Sequence, residues 1–600
     1  MEMLPSHLKK YVVEQNYEKY SPVDQAVWRF ILRQLKSFLS KNAHECYLEG
    51  LQKTGIEIER IPRITDVSDK LSQFGWRAIP VSGFIPPAAF MELQSLGVLP
   101  VASEIRSLDH LLYTPAPDIV HEAAGHAPIL INLEFATYLK KYAQVAKKSI
   151  LSNQDLELYE AIRLLSDLKE HPDSTANEIA AAEEKLTAVS KSITHISEAS
   201  QLSRMNWWTA EYGLIGSLEN PKLFGAGLLS SVGESKWCLS QKVKKIPLSV
   251  DCVKQGYDIT EPQPQLFVTP SFQHLSEVLE DFAQQMAFSV GGLKGLQKAL
   301  DAKSVNTAEL DSGLQLSGIV SEAITDHNGT LSYLRLAGPS QLSFQDQELS
   351  GHHKSYHSHG FGTPIGFLKI FPKISPCDLS DQQWATLGFI FDGELGDGPG
   401  IQKSKSSDIV FLEYQSGVIL TAVPKSRWVQ NGKTLLVTLS DARVELDGRV
   451  LYEPSWGPFD MALGANVVSV FGGAADREKY GDSDDFKVAR VSSPKWDAKE
   501  LGRHSVYQKL RDLREKNTPA NELLLGLRSV FTKQQQDFPD DWLLELEILE
   551  ILLNKKLDMD FQNVLTSEIQ KLAVKFPEKK DIILDGLNLA AQEALEKVGP

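Results

Sequence analysis

The chain has 600 residues, 42% hydrophobic and 23% charged, a balance typical of globular rather than disordered proteins. At roughly 150 residues per domain, this length favours several domains. The 62 basic and 78 acidic side chains give a net charge of −16, which argues against nucleic acid or an anionic membrane as the main partner. The four cysteines form no CxxC pair, so neither a disulfide framework nor a zinc knuckle is expected. The sequence shows neither a transmembrane run nor a signal peptide, so we expect a cytoplasmic protein.

The N-terminal region is predicted to be largely helical. Residues 23–39 carry apolar side chains at three- and four-residue steps, which indicates an amphipathic helix. Residues 78–91 instead predict a short strand, a loop with a glycine and a Pro-Pro pair, and then a helix.

Two more helices are predicted at about residues 150–200. Apolar residues in the second helix repeat at heptad spacing, with Glu and Lys around them. Because a breaker sequence at 171–174 joins the helices, they predict an antiparallel hairpin inserted into the N-terminal region. This composition favours a structural or docking role, including self-association of the chain.

The character of the sequence changes at about residue 300. Three hairpin turn signals separate β-type runs: Asp326–Gly329, Asn431-Gly432 and Asp447-Gly448. They predict a β-rich domain of unknown role over 312–490. Helical periodicity returns over 505–600, with apolar faces broad enough to require burial. No second coherent cluster of titratable groups is visible there, so both parts are predicted to be non-catalytic and to serve oligomerisation, docking or regulation.

Two short tracts in this half are candidate ligand sites. Four histidines lie within residues 351–362: His352, His353, His357 and His359. Such a tract can bind metal, but it is more often a solvated loop. The Gly-rich run 391–400 lacks the Lys-Ser/Thr pair of a phosphate-binding loop, so phosphate binding is not expected.

The segment 113–130 is the most informative for chemistry. It contains His121, Glu122 and His126, with Asp118 just upstream. Two imidazoles and a carboxylate form the facial triad of non-haem iron oxygenases, although imidazole also suits zinc and copper. A zinc peptidase places its histidines four residues apart, whereas these are five apart. On an ideal α-helix, this spacing separates the side chains by roughly 140°, so they converge only if the helix is distorted or begins near His121.

A third ligand must come from another segment. Glu211 lies in the otherwise apolar and aromatic run 207–216. A carboxylate in such surroundings is costly to bury unless it is paired or bound to a metal. The alternatives are two polar histidines at a helix start and a glutamate on a helix surface.

Taken together, these residues resemble the pterin-dependent aromatic amino acid hydroxylases, in particular the bacterial phenylalanine 4-monooxygenase type of catalytic domain. Four segments in the family's order carry the resemblance: 80–90 (pterin loop), 113–126 (iron-binding pattern YTPEPDxxHExxGH), 207–214 (carboxylate ligand) and 224–234 (YGAGLLSS loop). The resemblance covers about residues 10–295. It does not explain the insertion or the chain after about residue 300.

The resemblance also implies roles for individual residues. The ligands of Fe(II) would be His121, His126 and Glu211. The amino acid substrate would contact Arg106, which would clamp its carboxylate, and Thr114, Pro117, Trp207 and Ser230. The pterin would contact Gly83, Phe84, Ile85, Phe90 and Glu122. Asp118 and Ser230 would orient His121. The sequence departs from the family at Ala116, Asn206 and Pro86-Pro87, which affects the expected pterin contacts but not the metal triad.

The expected fold is multidomain. A mainly α catalytic domain of aromatic amino acid hydroxylase type would span 1–298, followed by the β-rich domain and the helical C-terminal region. The expected activity is an Fe(II)- and tetrahydropterin-dependent monooxygenation of a free aromatic amino acid with O2. Phenylalanine is the predicted substrate, because Trp207 matches the Trp of phenylalanine- and tyrosine-type members. The alternatives are a non-catalytic amino acid or pterin sensor acting through the C-terminal half, and a zinc hydrolase, which the histidine spacing opposes.

Overall fold

The computed structural model describes residues 4–83, 85–111, 118–170, 174–258, 261–393, 400–481 and 496–596. They form an N-terminal region of helices and small sheets, a β-rich region and a C-terminal helical region. None of the helices in these ranges is both long and apolar enough to cross a membrane.

The N-terminal region combines helices with two small sheets. Its helices are α1 (Ser6–Lys9), α2 (Pro22–Asn42), α3 (Cys46–Lys53), α4 (Ile64–Leu71), α5 (Pro87–Ser95), α6 (Ala127–Ile129), α7 (Leu133–Lys147), α8 (Asn153–Glu170), α9 (Ala176–Ser192), α10 (Glu198–Asn206), α11 (Ala226–Ser230), α12 (Val232–Trp237), α13 (Phe272–Ala283), α14 (Ala287–Val290) and α15 (Gly292–Ala302). The segments Val120–His126 and Trp207–Glu211 are π-helical. Strands β1 (Arg77–Val81) and β2 (Val98–Ala102) pair in parallel. A mixed sheet has the order β4-β3-β6-β5, with β3 (Leu214–Gly216), β4 (Pro221–Leu223), β5 (Lys244–Pro247) and β6 (Gln265–Thr269).

Helix α2 is the predicted amphipathic helix. It begins in a capping box, in which the Ser21 side chain accepts from the backbone of Asp24 and the Asp24 carboxylate accepts from the backbone of Ser21. Burial extends beyond the predicted apolar stripe to polar residues such as Arg29 and Arg33. Helix α2 is therefore covered on several sides.

The β-rich region contains two six-stranded sheets. The first has the order β10-β9-β8-β7-β18 with β11 against β9; the second has the order β12-β14-β15-β16 with β13 against β14 and β17 against β15. The strands are β7 (Val305–Leu310), β8 (Leu314–Thr325), β9 (Leu331–Phe344), β10 (Gln347–Glu348), β11 (Gly360–Pro364), β12 (Gly400–Lys403), β13 (Val410–Glu413), β14 (Ile419–Gln430), β15 (Lys433–Leu446), β16 (Arg449–Tyr452), β17 (Phe459–Ala462) and β18 (Val467–Gly472). The described residues of this region also form the short helices α16 (Asp381–Thr386) and α17 (Arg477–Tyr480). The three predicted turns connect β8 to β9, β14 to β15 and β15 to β16, so those predictions are confirmed.

The helices before the first sheet belong to its core. Ala287 of α14 and Leu296 and Ala299 of α15 pack with the apolar residues of β7, β8 and β9. The predicted end of the catalytic domain at residue 298 therefore falls inside a helix that is buried against the β-rich region.

The C-terminal region consists of long helices packed on the N-terminal region. They are α18 (Ala498–Glu515), α19 (Ala520–Asp537), α20 (Trp542–Lys555), α21 (Met559–Lys575) and α22 (Lys580–Glu596). Phe30 of α2 meets Trp542 of α20 edge to face, with ring centroids 5.2 Å apart. The apolar faces of these helices belong to the same hydrophobic core as α2 and the π-helix Val120–His126. This shared core couples the folding of the N-terminal region to that of the C-terminal helices.

The inserted helices α8 and α9 form the predicted antiparallel hairpin. Gln154 donates to the backbone of Ser192 at one end, and Lys169 forms an ion pair with Glu183 toward the other. Most of α9 is exposed, and Ala182 is its buried residue.

Candidate active site

Both segments that carry the predicted metal ligands are π-helical. His121 and His126 lie on the π-helix Val120–His126, and Glu211 ends the π-helix Trp207–Glu211. A π-helix closes its hydrogen bonds between residues five apart, so side chains with this spacing lie roughly one turn apart on the same side. The π-helical geometry thus brings together the side chains of His121 and His126, which an ideal α-helix would separate.

The three side chains converge on one point. Nε2 of His121 lies 3.3 Å from Oε2 of Glu211, and Nε2 of His126 lies 3.3 Å from Oε1 of the same carboxylate. The two imidazole rings are nearly perpendicular, with centroids 4.9 Å apart. One donor atom from each residue lies within 4.8 Å of the other two. This is the arrangement that a single metal ion with three protein ligands requires.

The charges in this cluster strongly perturb two carboxyl groups. Burial alone would raise the pKa of Glu211, but attraction to His126 and His121 outweighs it and holds that pKa well below its ordinary value. At the neighbouring Glu122, attraction to His126 offsets desolvation only in part. Desolvation raises its pKa to about 8, opposed by His126 and reinforced by Glu211. Glu122 and Glu211 thus differ sharply in their affinity for a proton.

Ser230 fixes the orientation of His121. The Ser230 hydroxyl donates to the carbonyl of Ala226 at 2.7 Å and lies 3.0 Å from Nδ1 of His121. Because that hydroxyl proton is already committed, Nδ1–H of His121 is the donor in the second contact. Nε2 of His121 therefore presents its lone pair to the cluster.

Arg106 and Asp118 form a buried pair beside the histidines. Nε of Arg106 donates to Oδ2 of Asp118 at 2.7 Å, and an Nη donates to Oδ1 at 2.8 Å, a bidentate contact. Burial opposes ionisation of Asp118, but the guanidinium of Arg106 holds the pKa of this carboxyl below its ordinary value. Asp118 accepts from the backbone N–H of His121 at 3.0 Å. Its recorded contact with His121 is thus to the main chain, and Ser230 makes the contact to the ring.

Two residues that the sequence did not single out hold this site together. The buried hydroxyl of Tyr47 lies 3.1 Å from the carbonyl oxygen of Ala124 and 3.4 Å from that of Leu229, so it joins the π-helix to α11. Asn206 donates to Oε1 of Glu211 at 3.4 Å. In the sequence Asn206 is only a departure from the family pattern, and Tyr47 lies in a stretch without a motif.

Gly125 allows α11 to approach the π-helix closely. A Cβ at Gly125 would lie 2.7 Å from the carbonyl oxygen of Ala226 on α11, too close for any side chain. The glycine therefore lets the two ligand-positioning segments touch.

Of the predicted pterin residues, Gly83 and Ile85 lie between β1 and α5, Phe90 lies on α5, and Glu122 lies on the π-helix Val120–His126. Gly83 has a positive φ of 57°, and its N–H points to Glu104 at 3.4 Å. Ile85 and Phe90 pack in a small apolar cluster with Leu8 and Tyr11. Glu104, which also accepts from Ser82, is a further residue that no motif indicated. Phe84, Thr114 and Pro117 lie outside the described residues.

Trp207 lies at the other end of the π-helix from Glu211. Its indole stacks between Tyr212, at 4.5 Å, and Tyr257, at 4.3 Å and nearly parallel. Stacking on both faces fixes the ring, so Trp207 has one orientation relative to the carboxylate that follows it.

Comparison with known proteins identifies the relatives of the N-terminal region. Residues 10–155 and 176–291 match the family model of the biopterin-dependent aromatic amino acid hydroxylases. The unmatched gap, 156–175, is narrower than the predicted insertion and includes most of α8 but not α9.

Curated relatives agree with this match. The phenylalanine-4-hydroxylase of Mesorhizobium japonicum is 31% identical over 300 residues, which cover 49% of this chain and 91% of that protein. The human phenylalanine-4-hydroxylase is 29% identical over 273 residues, covering 44% of this chain and 50% of that protein. A crystal structure of the Chromobacterium violaceum enzyme with bound iron(III) and 7,8-dihydrobiopterin is 24% identical and covers 47% of this chain and 92% of its own, with a TM-score of 0.36. The chain belongs to the family of the biopterin-dependent aromatic amino acid hydroxylases.

Proposed function

We propose that this protein is an iron- and tetrahydropterin-dependent monooxygenase that hydroxylates the ring of free phenylalanine to give tyrosine, with O2 as co-substrate. The observation that carries the proposal is the convergence of His121, His126 and Glu211, in a chain of this family. The β-rich and C-terminal regions are proposed to take no part in the chemistry.

The donor set fits Fe(II). Two imidazole nitrogens and one carboxylate oxygen are the ligands of the facial triad, which leaves further positions for substrate or water. The tautomer of His121 set by Ser230 presents Nε2 to the metal position, as a ligand must. Bound iron and the reduced pterin would supply the redox chemistry that activates dioxygen.

Residues of the chain would bind and orient the substrate. Among the described residues, Arg106 has acceptors for three of its five N–H donors, two oxygens of Asp118 and the carbonyl of Ser230. The other two suit the carboxylate of an amino acid, which a guanidinium binds in bidentate fashion. The buried ion pair with Asp118 fixes the plane of that guanidinium. Trp207, held by Tyr212 and Tyr257, would bound the pocket for the aromatic ring.

Glu122 would act on the pterin side of the metal. Its carboxyl lies 3.9 Å from Nε2 of His126, and one of its oxygens has no hydrogen-bond partner among the described residues. A buried oxygen without a partner is costly, so a ligand or a water that donates to it would be favoured there. Glu122 would therefore hold a proton or accept one at the edge of the pterin site.

Substrate preference is tested by competition. Purified protein, supplied with Fe(II) and a tetrahydropterin, is given isotopically labelled phenylalanine with unlabelled tyrosine and tryptophan at equal concentration, and the products are separated by chromatography. We expect tyrosine formed from phenylalanine to dominate, because Trp207 is the residue found in phenylalanine- and tyrosine-type members. A higher kcat/KM for tryptophan would contradict the substrate assignment, and absence of any product would contradict the enzyme assignment.

Replacing Ser230 with alanine is expected to weaken iron binding or hydroxylation by about 10–100-fold, the usual cost of losing a residue that orients a metal ligand. The reason is that Nδ1 of His121 loses its acceptor and the ring loses its fixed tautomer. Iron affinity and kcat are measured for the purified variant. The matched control is Ser235→Ala, which removes another buried hydroxyl; among the described residues it bonds only to a helix carbonyl, that of Val232. Equal effects of the two changes would mean that Ser230 acts only through packing.

A further inference from the structure

A second group of metal-type ligands lies in the β-rich region, remote in sequence from the first. The loop between β10 and β11 folds back so that Nδ1 of His352 lies 3.1 Å from Nε2 of His357, and the two rings are nearly parallel. The loop is anchored by its backbone, since Leu342 and Ser340 of β9 donate to the carbonyls of His352 and His357 at 3.1 Å. Both imidazoles are thus held by a rigid strand rather than by a free loop.

Asp460 completes the group from the second sheet. It lies on β17, is only 6% exposed, and forms no ion pair with a lysine or arginine among the described residues. Thr438 of the paired strand β15 donates to its Oδ1 at 2.7 Å. One donor atom from each of His352, His357 and Asp460 lies within 4.8 Å of the other two. A buried carboxylate beside two imidazoles, without a basic partner, is the usual setting of a metal ion.

We propose that His352, His357 and Asp460 bind a divalent transition-metal ion that links the two sheets of the β-rich region. Two nitrogens 3.1 Å apart, each about 2.1 Å from a metal, subtend an angle of about 95° at it, which suits cis ligands of such an ion. The hydrogen bond from Thr438 orients the carboxylate, as residues around a metal site do. The half-exposed side of His352 provides the entry path.

The proposed role of this ion is structural. His352 and His357 are anchored to the first sheet, whereas Asp460 belongs to the second. Aromatic side chains surround the histidines, with Phe361 5.2 Å from His357 and Trp428 6.5 Å from His352. An ion held there would tie the loop to β17 and stabilise the contact between the sheets, because metal that binds only the folded state adds its binding free energy to folding.

The test counts metal sites on the full-length protein. Protein stripped with a chelator is titrated with Zn(II) against a chromophoric competitor. We expect two equivalents for the natural sequence and one each for Glu211→Gln, His357→Gln and Asp460→Asn. The control is His359→Gln, because His359 is exposed and lies two residues from His357; it should retain both equivalents. Direct loss of a ligand should weaken the second site by about 100-fold or more.

Folding of the variants is checked independently. Asp460→Asn keeps the size of the side chain and an oxygen for Thr438, and circular dichroism should match that of the natural sequence. Zn(II) should raise the Tm of Glu211→Gln, in which the first site is impaired, but not that of Glu211→Gln with His357→Gln. If His357→Gln and Asp460→Asn bind as much zinc as His359→Gln with equal affinity, or if the natural sequence binds a single equivalent that Glu211→Gln abolishes, the proposal is wrong.

Discussion

Glu211→Gln is expected to lower iron binding by at least about 100-fold and to abolish measurable hydroxylation, since even residues that only support a ligand cost about 10–100-fold when they are changed. The change keeps the size of the side chain and removes its charge. His121 and His126 then lose the carboxylate that lies 3.3 Å from each of them. Two imidazoles alone hold Fe(II) weakly, because the hard carboxylate oxygen and its negative charge are missing.

Iron content of the purified protein and turnover of phenylalanine are the two measurements. The control is Glu219→Gln, an exposed carboxylate that follows β3 in the same part of the chain. Its iron content and turnover should equal those of the natural sequence. Normal iron occupancy in Glu211→Gln would remove Glu211 from the metal site, whereas loss of turnover with full occupancy would place its role in the chemistry rather than in binding.

The sequence singled out the three candidate metal ligands, but it did not predict the geometry that brings them together. Spacing and residue type pointed to His121, His126 and Glu211, and an ideal α-helix would have separated the two histidines. The π-helix that reunites them depends on contacts from distant segments. Tyr47 holds the carbonyl of Ala124, and α11 presses against Gly125. No local periodicity encodes such contacts, because they exist only after the chain has folded.

In the hairpins of the β-rich region, the residues of some turns were enough to predict the turn conformation. Asn431-Gly432 and Asp447-Gly448 have positive φ at both positions, as their sequences predicted. The turn between β9 and β10 also has positive φ at both positions, but it is formed by Gln345 and Asp346 and carries no glycine. Its conformation follows from the pairing of the flanking strands, so sequence patterns did not reveal it.

No local sequence pattern predicted which part of the chain the C-terminal helices pack against. Their periodicity predicted helices with broad apolar faces, and oligomerisation was one proposed use of them. The structure buries those faces against α2, about 500 residues earlier in the chain. Arg29 and Arg33, which a helical pattern would place on the surface, are buried there by acidic side chains of α20. Contacts between segments so far apart in the chain form only in the complete fold, so local sequence patterns cannot reveal them.

Glu547→Ala should destabilise the packing of α20 on α2 by about 3–5 kcal/mol, the usual effect of removing one partner of a buried ion pair. Glu547 accepts from Arg29 of α2 at 2.8 Å and from Arg514 of α18 at 2.9 Å, and it is almost fully buried. Its loss leaves Arg29 buried without that carboxylate. Desolvation already lowers the pKa of Arg29 to about 10, which shows how unfavourable its surroundings are for a charge.

The measurement is the opening free energy of α2 and α20 from amide hydrogen exchange, which resolves one contact within a multidomain protein. The control Asp512→Ala removes an exposed i,i+4 ion pair with Lys516 and should cost no more than about 0.5 kcal/mol. Glu547→Met combined with Arg29→Met should recover part of the loss, because apolar side chains of similar size avoid the unpaired charge.

Because α11, which carries Ser230, packs on α2, Glu547→Ala should also lose iron at lower temperature. An effect of Glu547→Ala as small as that of Asp512→Ala would show that the helices are held by their apolar faces alone.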